Sequence, residues 1–518
     1  MNESLNKWLM NDFSLDLDKS LNDELNREYL STLNKIKIVD KIFTGNNSNF
    51  GKCLHIIHEF SKKPWTLQAE MCKKLDIKKE DLIKLNSIIR NSELFQNIIL
   101  KKGVGNKYWN TIIPFGKTTD KVLENSYSFP QRIAIFPGVS CMFYCGFCGR
   151  KQSEKYPLSI VDDSLKSYKK LFSEKKHDTA FSISGGLEPL TNPKLGEIIA
   201  SAYDNNIKIP LITNGYSLTE NYIKKNPGIW KLDSLRISLY GVDEDSYYFI
   251  SRVRKSFEIV KNNTINFLKL RNINNPKLKF GFNFIIIPEN VNQLNIMLDL
   301  VQDINKNVQN GRGVDFITLR DDYQSVTGND EKFDTDRKYR LNSKMNDKLR
   351  TELIEIINKF KKKKNEICPD VHVDFGYSIE SISKGIFDKQ LIKVSGNEMR
   401  NFGFTQLSVA IDLYGDVFLF REAGFLNRDG NKKMIIGRIS EKKSLKEVIQ
   451  EFLNKKIPLS FEEDDSRFMD SFDHVLTVLV NQAEKDKNFG ISFDYGPVKD
   501  RSVRKKMNIG NNWYSDDI

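Results

Sequence analysis

Pro137-Gly-Val-Ser-Cys-Met-Phe-Tyr-Cys-Gly-Phe-Cys148 is the stretch from which this 518-residue chain is best read. It follows a short β-branched run, Arg132–Phe136, and gathers three of the six cysteines, Cys141, Cys145 and Cys148. Thiolates are the natural ligands of iron–sulfur clusters, and cysteines this close on a tight loop can converge on one inorganic core. Gly138 and Gly146 let the backbone turn and approach it. Only three ligands are local. A structural zinc site calls for four, and the nearest histidine in sequence is His177. Three protein ligands would leave one iron open to a substrate or cofactor. The competing readings are a zinc site completed from a distance and three unliganded buried thiols.

Outward from this loop, residues 126–325 alternate β-branched runs with helical patterns. The expected strands are Arg132–Phe136, Ala180–Ser184, Ile209–Thr213, Leu235–Leu239, Phe280–Ile287 and Val314–Leu319. Helical stretches such as Ser164–Ser173, Leu195–Tyr203 and Ser256–Leu270 lie between them. The alternation implies βαβ units and a parallel sheet. Six units are too few for an eight-stranded barrel, so a partial barrel or an open sheet is expected, with ligands at the carboxyl ends of the strands. Residues 1–125 read as an N-terminal helical region, with leucines at 21, 25, 30 and 33 and a second pattern at Leu82, Leu85, Ile88 and Ile89. The paired patterns between Thr66 and Arg90 fit either a helix-turn-helix or simple packing; no basic recognition face stands out. Residues 326–518 read as a C-terminal α+β region capping the barrel. It comprises a loop near 327–337, a helix from about Leu341 to Phe360, strands at Val371–Phe375, Gln406–Asp412 and Val417–Phe420, a closing helix at Phe468–Ala483, and a polar tail from Val503.

Composition narrows the class. Hydrophobic residues make up 39%, enough for a globular core. Scattered Cys53, Cys72 and Cys368 do not make a disulfide scaffold. The first residues carry acids and no apolar segment of the secretory kind, and no apolar run reaches membrane-spanning length. The expectation is a cytoplasmic protein with no membrane or nucleic-acid partner. The net charge of +12 fits an anionic small molecule, or a nucleic acid in a non-enzymatic alternative. The densest run, Lys361–Lys364, reads as a solvated helix end.

Further motifs follow the strands in order. Ser184-Gly-Gly-Leu-Glu-Pro189 follows the second, Ile212-Thr-Asn-Gly215 ends the third, and Arg236-Ile-Ser-Leu-Tyr-Gly241 holds the fourth. Paired glycines at a strand end leave backbone groups open to a ligand, although each motif also serves as an ordinary turn. With the Cys-x3-Cys-x2-Cys spacing, and Phe147 before its last cysteine, this series resembles the radical S-adenosylmethionine (SAM) superfamily. The resemblance implies a partial (β/α)6 barrel and a 4Fe–4S cluster on Cys141, Cys145 and Cys148, with SAM on the fourth iron. It further implies a 5′-deoxyadenosyl radical that abstracts hydrogen from the substrate. By the same resemblance Gly185, Gly186, Glu188, Thr213, Asn214, Ser238 and Arg236 would hold SAM, with Leu187 inserted relative to the superfamily's Gly-Gly-Glu-Pro. The segment from Asp412 resembles a cluster-binding extension of other members, but Leu419 and Phe420 stand where a cysteine would, so one cluster is expected.

Longer segments narrow the match. They are Tyr108–Pro114, Phe181–Pro193, Leu319-Arg-Asp-Asp-Tyr323 and Asp412–Phe425, the last ending Arg-Glu-Ala-Gly-Phe. Together these resemble the TDP-4-amino-4,6-dideoxy-D-glucose deaminase (ammonia-lyase) family of desosamine biosynthesis. That family takes hydrogen from carbon-3 of a nucleotide-linked amino sugar, releases the carbon-4 amine as ammonia and leaves a 3-keto sugar. One SAM is consumed per turnover. The resemblance implies a nucleotide-diphosphate amino sugar as substrate and a low-potential reductant such as flavodoxin or ferredoxin. Arg421, Glu422 and Arg320 become candidate catalytic residues, with Arg421 suited to the diphosphate; a surface ion pair is the plainer alternative for them. The rival chemistry is a radical SAM dehydrogenase or epimerase acting on an amino sugar or aminocyclitol.

Overall fold

The protein is seen in a computed structural model that describes most of 52–59, and residues 66–91, 116–145, 157–175, 179–287, 290–309, 311–321, 347–375, 394–425 and 430–490. Cys148, the leucine pattern of 21–33, the segment Tyr108–Pro114, the loop near 327–337, Asp322 and the tail from Val503 lie outside the described residues. The chain divides into two compact units, Met1–Leu123 with Val478–Asp516, and Glu124–Thr477 with Asp517–Ile518.

The first unit contains helices α1 (Gln68–Leu75), α2 (Lys79–Asn91) and α3 (Gly116–Leu123), and the end of the closing helix. Asp76, in the left-handed conformation at φ 50°, ends α1 and starts the turn into α2. Met71, Leu82, Leu85 and Ile89 are buried, so the paired patterns between Thr66 and Arg90 do form packed helices. Asp486 of the closing helix accepts a hydrogen bond from Gln68 N at 2.9 Å, and Gln482 donates to Thr66 O at 2.6 Å.

The second unit runs β1 (Arg132–Phe136), α4 (Val161–Ser173), β2 (Ala180–Ile183), α5 (Leu195–Asp204), β3 (Pro210–Thr213), α6 (Glu220–Lys225) and β4 (Ser234–Leu239). It continues with α7 (Glu244–Ser251), α8 (Ser256–Asn274), β5 (Lys279–Ile286), α9 (Leu294–Val308), β6 (Phe316–Asp321), α10 (Asp347–Ile367) and β7 (His372–Asp374). Strands β8 (Ser408–Asp412), β9 (Asp416–Phe418) and β10 (Ile435–Arg438) follow, then α11 (Leu445–Asn454) and α12 (Ser471–Phe489). Among the described residues all ten strands form one sheet, in the order β10-β9-β8-β1-β2-β3-β4-β5-β6-β7. From β8 to β7 every neighbouring pair is parallel; β9 and β10 are antiparallel additions. β1–β6 with their helices make the partial (β/α)6 barrel that the resemblance implied, one of the two arrangements the alternation left open. The C-terminal strand β8 hydrogen-bonds directly to β1, in register from Arg132↔Ser408 to Phe136↔Asp412. β10 was not expected: Ile435-Ile-Gly-Arg438 is short and contains a glycine beside a register shift.

Alternation along each strand separates two faces. One carries Ile133, Ile135, Phe181, Ile183, Leu211, Leu235, Ile237, Phe280, Phe282, Ile317 and Leu319, all buried. Ring contacts tie this face to its helices, Phe172 of α4 to Phe181 and Phe267 of α8 to Phe280, each at 5.6 Å between centroids. The opposite face carries Ser182, Arg236, Ser238, Asn283, Thr318 and Arg320. The helix-facing side is thus apolar, while the inner side sets these polar groups among Ile212, Ile285 and Phe316, a mixed lining that suits a polar ligand.

Buried polar groups fix the geometry elsewhere in this unit. Arg271 of α8 is fully buried; it donates to Leu278 O at 3.1 Å and to Asp315 at 2.9 Å. Asp315 also accepts from Phe280 N at 2.7 Å, at the start of β5, so one carboxylate joins α8 to the β5–β6 pair. Capping boxes start α7 (Asp243 with Ser246) and α11 (Ser444 with Glu447). Lys361–Lys364 lie in the last turns of α10, with Lys363 paired to Asp299 at 2.6 Å.

Candidate active site at the strand ends

The loop after β1 is held at three points. Phe143 is buried among Tyr216, Tyr240 and Tyr247, with centroids 5.5, 5.9 and 6.1 Å away. Tyr144 N donates to Ser251 O at 2.9 Å, joining the loop to the end of α7. Asn214 Nδ2 approaches Cys141 Sγ at 3.6 Å and Met142 Sδ at 3.1 Å. Cys145, with Tyr240 and Ile285, packs against the buried pair Ile250 and Ile287. Burial pushes the Tyr247 hydroxyl well above its usual range, with Cys145, Glu188 and Glu244 adding to the shift.

Cys141 and Cys145 are partly buried thiols outside any disulfide, one facing an amide donor and the other an apolar wall. This donor set fits a thiolate-held iron–sulfur cluster, whose sulfurs are tuned by such hydrogen bonds and by burial. Cys148 would supply the third ligand.

The turn after β2 is built around one ring. Gly185 stands at φ +91°, and a Cβ there would lie 2.4 Å from the Phe136 ring. Gly186 stands at φ +63°, where a Cβ would meet Gly138 O at 2.8 Å. Across the same ring, a Cβ on Gly424 would sit 2.8 Å away, and Phe425 stacks on it at 5.1 Å. The guanidinium of Arg421 lies 6.0 Å from its centroid. The Gly-Gly segment and the Arg-Glu-Ala-Gly-Phe segment, over two hundred residues apart, therefore meet on Phe136.

Glu188 is buried. Its carboxylate accepts from Leu190 N at 3.1 Å, Thr213 Oγ1 at 2.5 Å and Asn214 N at 2.8 Å. It thus bolts the β2 turn to the end of β3 and brings Gly185, Gly186, Thr213 and Asn214 together beside Cys141. Arg421 donates through Nη2 to Ser184 Oγ at 2.5 Å and pairs through Nη1 with Asp470 at 3.4 Å; its backbone N donates to Asp473 at 2.9 Å. Burial, then the nearby Asp470, hold the Asp473 carboxyl well above the usual range. Glu422 follows in the same short turn and is partly buried. Arg236 and Ser238 share a face of β4; Arg236 is buried with its guanidinium 5.3 Å over the Phe316 ring. Arg320 lies near the carboxyl end of β6, on the lumen face beside Ile285. Asp470 and Asp473 carried no signal in the sequence, because they open what reads as an ordinary closing helix. Phe136 reads only as the last residue of a strand; the glycines on either side of it become informative once they meet.

The sequence profile of the Radical SAM superfamily matches residues 135–301. The dTDP-4-amino-4,6-dideoxy-D-glucose ammonia-lyase of Streptomyces venezuelae is 34% identical over 392 residues, covering 75% of this chain and 78% of that enzyme. Among solved structures, Streptococcus suis SuiB bound to its precursor peptide SuiA aligns at a TM-score of 0.44 and 16% identity, covering 74% of this chain and 78% of that one. SuiB bound to S-adenosylmethionine aligns at 0.41 and 17%, covering 64% and 66%.

Proposed function

Because the chain belongs to the radical SAM superfamily and, within it, to the dTDP-4-amino-4,6-dideoxy-D-glucose ammonia-lyase family, we propose that it deaminates a nucleotide-diphosphate 4-amino-4,6-dideoxy sugar, giving a 3-keto-4,6-dideoxy sugar and ammonia. Its cofactors are a 4Fe–4S cluster and SAM. When bound, they supply a hydrogen-abstracting 5′-deoxyadenosyl radical.

The chain's own residues divide the work. Cys141, Cys145 and Cys148 hold the cluster. Gly185 and Gly186 present backbone groups to SAM, Thr213, Asn214 and Ser238 complete its surroundings, and Arg236 supports them from the floor of the lumen, over the Phe316 ring. Glu188 keeps the β2 and β3 ends at a fixed spacing, and its remaining acceptor capacity would serve the SAM ammonium. Arg421 ties the C-terminal turn to Ser184 beside those glycines. Glu422 and Arg320 stand on the substrate side, where an acid near the departing amine favours release of ammonia over amide anion. A low-potential donor of the flavodoxin or ferredoxin type delivers electrons. Among the described residues no helix is long and apolar enough to cross a membrane.

The observation that carries the narrower reading is the meeting of the Gly185–Pro193 and Arg421–Phe425 segments on Phe136, at the strand ends beside the cysteine loop. The test is an anaerobic assay of the reconstituted protein with SAM, reductant and dTDP-4-amino-4,6-dideoxy-D-glucose. Ammonia and 5′-deoxyadenosine are expected together. A two-electron oxidised amine with no ammonia would assign dehydrogenation; stoichiometric zinc with no iron would remove the radical chemistry altogether.

A further inference from the structure

We infer that Asn283 and Thr318, on the lumen side of β5 and β6, form a subsite for the hydroxyl groups of the substrate's hexose ring; this rests on the sugar-deaminase reading above. The register places Ser238, Asn283 and Thr318 side by side across β4, β5 and β6, in one row on the inner face. Below the row the lumen is closed. Phe316 turns its ring over Gly281, where a Cβ would come within 2.4 Å of it, and Arg236 lies 5.3 Å over that ring. From the row upward the lumen is open: Ser238 in it, and Ile285 and Arg320 two residues beyond it, are partly exposed, although β4, β5 and β6 are interior strands whose other face is buried. The row is therefore the polar bed of an open cup.

Asn283 Oδ1 and Thr318 Oγ1 are buried, and neither has a hydrogen-bond partner among the described residues. Thr318 is fully buried and Asn283 is 9% exposed. A buried polar atom left unpaired weakens the folded state, and such atoms in native proteins call for a ligand, an ion or water. The register carries the row on to Asp374 of β7, beside Thr318, so it holds one carboxylate, three neutral side chains and no cation. The bed therefore suits neutral donors and acceptors on a sugar ring rather than a diphosphate, which would draw on cationic side chains.

The test compares wild type with Thr318→Val, which keeps the shape and removes the hydroxyl, and with Thr318→Ser, which restores it. Thr318→Val should raise KM for the nucleotide amino sugar about tenfold, the usual weight of one hydrogen bond to a bound ligand. SAM affinity should stay at the wild-type value and the melting temperature of the sugar-free protein should not fall. Thr318→Ser should recover most of the KM. An unchanged KM overturns the subsite, as does a lowered melting temperature with parallel loss of SAM binding, which would give the hydroxyl a structural role. Weakened SAM binding with an unchanged sugar KM would assign the row to the cofactor instead. Wild type that cleaves SAM but ignores the sugar overturns the deaminase reading and the subsite together; wild-type turnover with an indifferent Thr318→Val overturns the subsite alone.

Discussion

At Gly185 the backbone lies at φ +91°, and the place a Cβ would take belongs to the Phe136 ring. An L side chain there meets both backbone strain and a ring pinned on its other side by Gly424 and Phe425. Gly185→Ala should therefore destabilise the fold by about 1–3 kcal/mol, read by urea denaturation, and should weaken SAM binding more than sugar binding. An alanine variant as stable as wild type would show that the turn has room the structure denies. The paired glycines were visible in the sequence and their place at a strand end was expected. Their second reason for being glycine was not, because Phe136 ends β1 and Gly424 lies in the turn after β9, and only the pairing of β8 with β1 brings them together. Glu188 shows the same limit: its acidic character was legible, but its hydrogen bonds from Thr213 and Asn214 depend on two strand ends lying side by side.

Two elements carry testable energetics. Arg271 holds α8 against the β5–β6 pair through Asp315, in a fully buried position where burial lowers its pKa. Arg271→Ala removes one partner of a buried pair; with Arg312 still beside Asp315, the loss should be about 3 kcal/mol, seen as a lower melting temperature. A change within error would mean that α8 is held by its apolar face alone. At the end of β8, burial and the neighbouring Asp416 raise the Asp412 carboxyl from 3.8 to about 7. The folded chain therefore binds this proton more tightly than the unfolded chain. Its stabilising contribution is complete below about pH 4 and is lost as pH rises through about 7. Asp412→Asn keeps an acceptor for the Tyr414 and Asp416 N–H groups, each 2.9 Å from Oδ1. It should flatten the decline in stability between pH 5 and 8, measured by denaturant titration at several pH values; an unaltered slope would place the decline in other groups. The six barrel strands were legible from β-branched runs, with boundaries shifted by one or two residues. β10 was not, since a four-residue strand containing glycine leaves no periodic trace.

For the whole molecule, fold class followed from strands alternating with helices, and the cofactor chemistry from the superfamily that three cysteines in eight positions and glycines after a strand resemble. The joining of the C-terminal strands to β1 was not local. It places Arg421–Phe425 beside Ser184 and Phe136, and thereby connects the segment that resembles the deaminases to the cofactor-binding turn. The lumen was less legible still, because Asn283 and Thr318 lie in runs that read simply as strand. The most direct measurement of the central claim uses dTDP-4-amino-4,6-dideoxy-D-glucose deuterated at carbon-3, with SAM, reductant and the anaerobically reconstituted protein. Mass spectrometry of the recovered 5′-deoxyadenosine should show deuterium, with ammonia released in equal amount; ammonia released while 5′-deoxyadenosine carries no deuterium would contradict hydrogen abstraction at that carbon as the route to deamination.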